Sequence, residues 1–473
     1  MIHPEVAALD RRFTADTYRA RRDHLRDTLG GGLVLLPGTA TVWRNADNPH
    51  PFRQSSHVLY YAGIARPGLF LLLDADAGTD TLFGPPDDFD DLVWHGPHPS
   101  REDLAAEAGI ADVRDVDELK AVLAEAKRQG RTVHYPPAFM PGTLVALARL
   151  LGESVDAVEA GASEALMRAV GEQRAVKSDA EIAEIEAAVA VSAEMYAVAM
   201  RMTRPGLREV DVRAAMVHVA LQRGLEMSFE PITSVRGEVL HNHASGNTLR
   251  DGQLFLLDSG VETPEGYASD ITRTIPVSGR FSDEQRAIYE IVLRAEEDAI
   301  AAVRPGVNFR DLHLAAARTI ADGLKGVGLM RGDVDDAVEA GAHALFFPHG
   351  LGHPIGLDTH DVQDLGDTYA YPADRPRSDQ FGLGFLRFAR DLAPGHVMTI
   401  EPGCYFIPPL IDRWRSEGRH TAFIDYDAVD RFRDFGGIRI EDDVLCTDDG
   451  PRVLGPGIPK SVGDVETAMA EPG

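Results

Sequence analysis

Four carboxylates and one histidine of metal-ligating type stand in separate, turn-flanked stretches of the C-terminal half of the chain. Three of the carboxylates directly follow short apolar runs, where an ionised group is costly unless it is paired or bound to a cation. A single such acid is best explained by an ion pair or a helix cap, but the five residues together favour a metal site. The five residues are Asp258 in LLDSG, Asp270 in ASDITRT, His353 in HGLGHPIG, Glu401 in TIEPG and Glu441 in GIRIEDD.

The charge of this set predicts the number and kind of ions. Four carboxylates and one imidazole carry too much negative charge for one divalent ion but suit two. Oxygen-rich ligation favours hard ions over ions that prefer thiolates. We therefore predict two divalent ions about 3.5 Å apart, as in two-metal hydrolases. Mn²⁺ is the expected metal, with Co²⁺ and Zn²⁺ as alternatives.

Length, charge and cysteine content limit the class of protein. At 473 residues the chain can bury substantial cores and form about two or three domains. Its net charge of −28 disfavours nucleic acid and anionic membranes as partners, and no apolar run approaches bilayer-spanning length. Two cysteines, Cys404 and Cys446, do not make a disulfide framework, so we expect buried thiols and a cytoplasmic location.

The first third of the chain alternates strand and helix patterns. Short apolar runs predict strands at 33–36 and 69–73, and a third strand is predicted at 132–135. Between them, residues 118–129 predict a helix that ends at a glycine. The pattern indicates an α/β domain without a recognisable catalytic cluster.

A long helical pattern follows from about residue 164. Ser178 is a predicted N-cap, and Glu181 is its capping-box partner three residues later. We place a domain boundary near residue 170, before this helix. Five residues at helical spacing predict its buried stripe: Ile182, Ile185, Val189, Ser192 and Tyr196.

The remaining sequence contains an internal repeat. Arg204-Pro205-Gly206 recurs as Arg304-Pro305-Gly306, each just before a predicted helix. A glycine precedes an acid by six residues in each half, at Asp258 and at Glu401, and each half carries a further acid later. Two similar α/β halves that each deliver acids to a shared boundary would explain a two-metal site.

Several of these segments resemble those of one known family. HGLGHPIGLDTHD, MTIEPGCYF, FGGIRIEDD and LLDSG…ASDITRT are similar to segments of the pita-bread metallopeptidases that act on Xaa-Pro bonds, the prolidases and aminopeptidases P. RNADNPHPFRQSSHVLYYAGIARPG resembles the N-terminal domain of those enzymes. The resemblance implies an α/β N-terminal domain over 1–170, a pseudo-two-fold α/β catalytic domain of the pita-bread type over 171–473, and a homodimer.

The resemblance also assigns roles to the five ligand-type residues. Asp258 and Asp270 would bind one ion, and Asp270 and Glu441 would bridge both ions. His353 and Glu401 would complete the second ion's ligands. A hydroxide held between the ions would attack the peptide carbonyl, and Glu401 would carry its proton to the departing proline nitrogen.

Further residues match positions around the active site of that family. His241 in VLHNH and His360 in LDTHD would stabilise the tetrahedral intermediate or move protons, and His360 would also contact substrate. His349 and Arg439 are assigned to the surroundings of the substrate. The neighbouring His243 has no counterpart in the motif, and we expect it on the surface.

The substrate class depends on one arginine. FLRFARDL resembles the prolidase segment LRxxRxL, in which the first arginine pairs with the dipeptide carboxylate; that position is Arg387. We therefore predict a peptidase of Xaa-Pro dipeptides. RNADNPHPFRQ is more similar to aminopeptidase P, so release of the N-terminal residue from longer Xaa-Pro peptides is the alternative.

Other functions fit the residues less well. A non-catalytic binding protein on the same fold, or a metal-free C–N hydrolase of the creatinase type, is disfavoured because all five ligand-type residues are present. The spacing of His349 and His353 matches a helical zinc-protease motif, but Gly350 and Gly352 between them disfavour a helix, and no glutamate follows the first histidine.

Overall fold

The computed structural model describes residues 13–471, which form two compact units. The first unit comprises the residues up to Arg174 together with Asp364–Tyr369, and the second comprises Ala175–Gln363 with the residues from Ala370 onward. The first twelve residues of the predicted domain 1–170 lie outside the described part of the chain. Within residues 13–471, every helix is too short or too polar to cross a membrane.

The first unit is built from alternating strands and helices. Its strands are β1 Leu33–Pro37, β2 Trp43–Asn45, β3 Asn48–Pro49, β4 Phe70–Asp74, β5 Thr79–Gly84, β6 Asp112–Asp115 and β7 Val133–His134. Its helices are α1 Ala15–Leu29, α2 Ser56–Ala62, α3 Phe89–His95, α4 Arg101–Glu107, α5 Val116–Arg128, α6 Pro141–Leu151, α7 Val155–Ala160 and α8 Glu164–Ala175.

Five of these strands form a mixed sheet in the order β6-β5-β4-β1-β7. β4 pairs antiparallel with β1 and with β5, whereas the outer pairs β1/β7 and β5/β6 are parallel. Every residue of β1 is buried, as its continuous apolar sequence predicts. The strands and the helix predicted over 33–36, 69–73, 118–129 and 132–135 are confirmed to within two residues at each end.

The second unit contains most of the remaining elements. Its helices are α9 Asp179–Met202, α10 Glu209–Gln222, α11 Asp283–Ala302, α12 Phe309–Gly326, α13 Val334–Glu339, α15 Pro408–Ser416, α16 Tyr426–Val429 and α17 Val462–Ala470, while the short α14 Asp367–Ala370 belongs largely to the first unit. Its strands are β8 Glu226–Met227, β9 Ile232–Ser234, β10 Leu254–Ser259, β11 Val261–Glu262, β12 Ile271–Pro276, β13 Val397–Ile400, β14 Gly403–Tyr405, β15 Gly437–Arg439, β16 Asp442–Thr447 and β17 Gly450–Val453. Four short 3₁₀ helices are Ala342–Leu345, Gln363–Leu365, Leu383–Phe385 and Asp430–Phe432.

The second unit consists of two similar halves. One contains the sheet β12-β10-β9 with helices α9 and α10, and the other contains β13-β16-β17 with α11 and α12. The backbone N–H of Gly206 donates to the carbonyl of Leu249 at 2.9 Å, and that of Gly306 donates to Leu392 at 2.8 Å. Each leucine stands nine residues before the carboxylate at the end of the following strand. The predicted pseudo-two-fold α/β arrangement is confirmed.

Helix α9 begins with the predicted capping box. The Ser178 hydroxyl accepts from the backbone N–H of Glu181, and the Glu181 carboxylate accepts from the backbone N–H of Ser178 at 2.9 Å. The same carboxylate accepts a hydrogen bond from the Tyr267 hydroxyl at 2.8 Å, which attaches the start of the helix to its own half. All five residues of the predicted stripe are buried.

Removing this cap should destabilise the second unit. We expect Ser178→Ala to lower its free energy of unfolding by about 1 kcal/mol, because the N–H of Glu181 loses its acceptor. Urea unfolding followed by circular dichroism measures the change. Ser416→Ala is the matched control, since that exposed hydroxyl caps no helix start and its loss should cost less than about 0.5 kcal/mol. Equal losses in the two variants would contradict the capping role.

Candidate active site

Two antiparallel strand pairs bring the four carboxylates together. β10 pairs with β12, and β13 pairs with β16. Asp258 lies on β10 and Glu401 follows β13, while Asp270 precedes β12 and Glu441 precedes β16. The two halves meet where Thr272 of β12 forms a bridge with Glu441. Each half therefore contributes two acids to one boundary, as the internal repeat predicts.

All five residues singled out from the sequence lie at this boundary. The Nε2 atom of His353 is 3.3 Å from Oδ2 of Asp270 and 3.8 Å from Oε1 of Glu401. One ligand atom each from Asp270, His353 and Glu441 lies within 4.8 Å of the others. Asp258 lies close enough to Asp270 for its charge to raise the pKa of that carboxyl.

Two glycines in the ligand motifs allow this close approach. A β-carbon on Gly260 would lie 1.8 Å from the carbonyl oxygen of Ser269, and one on Gly352 would lie 2.0 Å from that of Thr399. Both distances are far shorter than any van der Waals contact, so only glycine fits. These glycines let the segments that carry the ligand-type residues pack backbone against backbone.

The chemistry of the donor atoms fits divalent cations. One oxygen each of Asp258, Asp270 and Glu441 is buried and has no hydrogen-bond partner. Such unsatisfied buried oxygens are costly, and a bound cation would satisfy them. The Nδ1–H of His353 donates to the carbonyl of Pro354 at 3.1 Å, which leaves Nε2 free as a ligand. Four carboxylates and a neutral imidazole suit hard divalent ions.

The negative charges of the clustered carboxylates repel one another unless a cation is bound between them. Burial, together with the charge of Asp258, raises the pKa of Asp270 well above its usual range. Burial and the charge of Asp270 do the same for Glu441. Burial raises the pKa of Glu401 to about 8, although Arg439 acts in the opposite direction. Without a bound cation, these carboxyls would therefore hold protons at neutral pH.

A chain of hydrogen bonds leads from the carboxylate of Asp258 to the ring of a histidine. The guanidinium of Arg439 donates to Oδ2 of Asp258 at 2.5 Å and to the hydroxyl of Tyr405 at 2.9 Å. That hydroxyl is 2.9 Å from Nε2 of His349, whose Nδ1–H donates to the carbonyl of Gly350 at 2.7 Å. Burial lowers the pKa of His349 to about 3, so its ring is neutral and accepts from Tyr405. The substrate contacts assigned to His349 and Arg439 from the sequence stay predictions.

Two further histidines lie beside the centre, and each has part of its ring buried and part exposed to solvent. The ring of His360 is 4.5 Å from that of His353, at an interplanar angle of 82°. Burial of part of the His241 ring lowers its pKa, and the charge of Asp258 acts on it in the opposite direction. Burial also lowers the pKa of His360 to about 2. Neutral, partly accessible imidazoles at this edge can exchange hydrogen bonds with a bound molecule.

One cation close to the centre has a neutral partner. The Arg387 guanidinium is half-buried, and its Nη1 donates to Oε1 of Gln363 at 2.6 Å. Burial lowers the pKa of Arg387, while the charges of Glu401 and Asp270 raise it. Within the described part of the chain, no carboxylate forms an ion pair with this guanidinium. Its charge is thus available to an anionic group of a bound molecule.

Sequence reasoning missed two residues of the centre. The Thr272 hydroxyl donates to Oε2 of Glu441 at 2.6 Å, and Tyr405 links Arg439 to a histidine, as described above. Thr272 stands two residues after Asp270, a spacing that puts both on one face of an extended segment and could have identified it. Tyr405 lies on a different strand pair, and no spacing indicates its role.

Two negative predictions are confirmed. His243 is exposed and lies 4.0 Å from Glu230 at the surface. The described residues between His349 and His353 form no helix, so the helical zinc-protease arrangement is absent.

Comparisons with known proteins identify the family of this chain. The pattern of "Metallopeptidase family M24" matches residues 183–448, and that of "Aminopeptidase P, N-terminal domain" matches residues 18–134. The Xaa-Pro dipeptidase of Homo sapiens is 33% identical over 460 residues, which cover 93% of this chain and 89% of that protein. A probable Xaa-Pro aminopeptidase of Fusarium vanettenii is 34% identical over 445 residues, covering 93% and 92%.

Solved structures show the same architecture. Proline aminopeptidase P II from Yersinia pestis superposes with a TM-score of 0.79 at 28% identity and covers 97% of this chain and 100% of its own. A zinc-substituted aminopeptidase P of Escherichia coli in complex with product gives the same TM-score and identity, with 97% and 98% covered. From these matches, the chain belongs to metallopeptidase family M24, whose members use divalent metal ions.

Proposed function

We propose that this chain hydrolyses the Xaa-Pro bond, and that its substrates are Xaa-Pro dipeptides. The names of the full-length relatives support the Xaa-Pro bond as the target. The observation that carries the dipeptide assignment is Arg387, a guanidinium beside the acidic centre that has only a neutral partner among the described residues.

We further propose that the centre holds two divalent ions, with Mn²⁺ as the physiological metal. The three unsatisfied buried carboxylate oxygens support this proposal. When bound, the ions supply Lewis acidity at the scissile carbonyl. Their proposed ligands are Asp258, Asp270, His353, Glu401 and Glu441.

Glu401 is suited to carry a proton during the reaction. Its side chain is 18% exposed, compared with 7% for Asp270 and 12% for Asp258, so it is the most accessible of these three carboxylates. We assign it the transfer of a proton from the attacking water to the departing proline nitrogen. His241 and His360 would donate hydrogen bonds to the oxygen on which negative charge develops.

The role of Arg387 follows from the geometry of a dipeptide. In Xaa-Pro the free carboxylate is attached to the proline, directly after the bond that is cleaved. A planar guanidinium binds such a carboxylate through two parallel hydrogen bonds. In a longer peptide this carboxylate is replaced by a neutral amide, and the same arginine would bind nothing of opposite charge.

Aminopeptidase activity on longer peptides is the second candidate. The structural similarity to aminopeptidases P favours it, because these matches cover 97% of the chain. We also propose a cytoplasmic homodimer with separate domains 1–170 and 171–473, as the family resemblance implies.

Parallel assays of two substrates test the proposed function. Mn²⁺-loaded protein is incubated with Ala-Pro and with Ala-Pro-Ala, and free proline or Pro-Ala is measured. Rapid cleavage of Ala-Pro alone supports the dipeptidase. Efficient cleavage of the tripeptide favours the aminopeptidase, and cleavage of neither contradicts both assignments.

Metal binding should release protons at neutral pH. Because the pKa of Glu401 is about 8 and those of Asp270 and Glu441 are also raised, these groups hold protons that a metal must displace. Falling pH therefore weakens Mn²⁺ binding, and rising pH through about 8 strengthens it. Calorimetric titrations in buffers of different ionisation enthalpy should give more released protons at pH 6.5 than at pH 9.

Two variants provide the controls for this measurement. Asp270→Asn should weaken Mn²⁺ binding by at least about tenfold, since the charge of a proposed ligand is lost. Asp322→Asn removes an exposed carboxylate of α12 and should leave binding unchanged. Absence of proton release at pH 6.5 would contradict the protonated state of the metal-free centre.

Glu401→Ala should abolish turnover while the fold persists. The change removes both a proposed ligand and the proton carrier, and it relieves repulsion with Asp258 and Asp270, so the fold should persist. Initial rates with Ala-Pro and circular dichroism spectra measure the two effects. Activity above a tenth of wild type would argue against proton transfer by Glu401.

Arg387→Ala should act selectively on the dipeptide. Loss of the charge-assisted pair should cost about 2–4 kcal/mol in kcat/KM for Ala-Pro, with little effect on Ala-Pro-Ala. Arg390→Ala, three residues later, is the internal control and should have a smaller effect. An equal loss of kcat/KM for both substrates would favour the aminopeptidase assignment.

A further inference from the structure

A strained turn lies directly after His360, beside the proposed substrate site. Val362 has a φ of +56° and is buried. For a β-branched residue this left-handed conformation is an outlier, because the branched side chain crowds the backbone. Strain of this kind persists only where surrounding contacts hold it, and it is concentrated at functional sites. The contacts on either side of Val362 therefore indicate what the turn is for.

The residue before Val362 is clamped in the interior. Oδ2 of Asp361 lies 2.8 Å from Nζ of Lys177, and the two side chains are 1% and 2% exposed. The backbone N–H of Asp361 donates to the carbonyl of Pro354 at 2.9 Å. A β-carbon on Gly356 would lie 2.7 Å from the Asp361 carboxylate, so only glycine leaves room for the ion pair. Separating these buried charges is costly, which fixes one side of the turn.

The residue after Val362 faces the proposed substrate-binding cation. The Gln363 backbone N–H donates to the carbonyl of His360 at 3.3 Å, and its side-chain Oε1 accepts from Nη1 of Arg387 at 2.6 Å. The left-handed backbone of Val362 thus separates two neighbouring side chains that have different surroundings. Asp361 is buried against Lys177, whereas Gln363 is exposed and meets the guanidinium.

An amide is well suited to this position. Its carbonyl oxygen orients a guanidinium through a hydrogen bond and leaves the positive charge unneutralised. A carboxylate at the same place would pair with Arg387 and compete with an anionic substrate group. The contact with Gln363 uses only one of the five N–H donors of the Arg387 guanidinium. The remaining donors can still bind a carboxylate.

We propose that Gln363 is a positioning residue for dipeptide recognition. It holds the Arg387 guanidinium in the orientation that receives the proline carboxylate, and the strained turn at Val362, anchored by Lys177 and Asp361, holds Gln363. This inference rests on the proposed dipeptidase function. It adds a residue that contacts neither the metal centre nor the scissile bond but decides how tightly the dipeptide is held.

Replacement of the amide by an apolar side chain of the same length tests the proposal. Gln363→Met should raise KM for Ala-Pro about three- to tenfold, with kcat nearly unchanged and Ala-Pro-Ala unaffected, because an oriented charged hydrogen-bond donor is lost. Gln222→Met, an exposed glutamine at the end of α10 in the same unit, is the matched control and should change nothing.

A second substitution separates positioning from a structural role. Gln363→Glu keeps the acceptor and the side-chain length, so a purely structural role would be preserved. If Gln363 acts through an available Arg387 charge, Gln363→Glu should raise KM for Ala-Pro at least as much as Gln363→Met, because the new carboxylate neutralises the guanidinium. Wild-type KM in Gln363→Glu would overturn the proposal.

A double-mutant cycle distinguishes this inference from the proposed function. Gln363→Met should have no further effect in the Arg387→Ala background, since the group it positions is absent. If Arg387→Ala lowers dipeptide cleavage selectively but Gln363→Met has no effect, or is fully additive, the positioning role fails and the dipeptidase assignment stands. If Arg387→Ala affects both substrates equally, the dipeptidase assignment fails and the positioning role fails with it.

Discussion

Repulsion among buried carboxylates is the constraint on which the rest of this structure depends. Asp258, Asp270 and Glu441 each have a buried carboxylate oxygen without a hydrogen-bond partner. Oε1 of Glu401 lies 3.8 Å from Nε2 of His353 in the same cluster. Such a cluster is unfavourable as a set of anions and favourable as a ligand set. Burial and this repulsion raise the pKa values of Asp270, Glu401 and Glu441. Protons would reduce the repulsion without a bound metal, and divalent cations would reduce it when they are bound.

A second ionic network holds the backbone at the boundary between the two halves. The Arg273 guanidinium donates to the carbonyl of Glu441 at 2.7 Å and to the carboxylate of Asp442 at 2.6 Å. Lys460 contacts Asp442 and Glu296, both at 2.7 Å. Separating the partners of a buried ion pair is costly, so this network opposes a shift of the strands that carry it. We infer that this network fixes the backbone of Glu441 and its β-bridge to Thr272.

The repeat carries the proposed metal ligands, whereas the proposed substrate-binding arginine lies outside the repeated pattern. Equivalent positions of the two halves carry Asp258 and Glu401, and the matching turns around Gly206 and Gly306 show that the halves share a backbone plan. Arg387, by contrast, lies in the segment between His353 and Glu401, which has no counterpart of that length in the first half. The proposed substrate contact and the proposed metal ligands therefore lie in separate parts of the sequence.

Much of the architecture was predictable because it depends on local patterns. Continuous apolar runs, a Ser-Glu capping box and repeated glycine turns are read from neighbouring residues, and the corresponding strands, the start of α9 and the two halves are where these patterns place them. The five ligand-type residues were recognisable as a set, since four carboxylates and a histidine in such positions together favour a metal site even though a single acid does not.

The sequence by itself determined the α/β class, the two-fold plan and the residue types available at the centre, because periodicity and motif spacing act over short distances. Only the tertiary structure decided which partners those residues have. Arg439 is engaged by Asp258 and Tyr405, and Arg387 meets the amide of Gln363. These contacts join residues 24 to 181 positions apart, so they depend on how strands and turns pack in space, which no local pattern specifies.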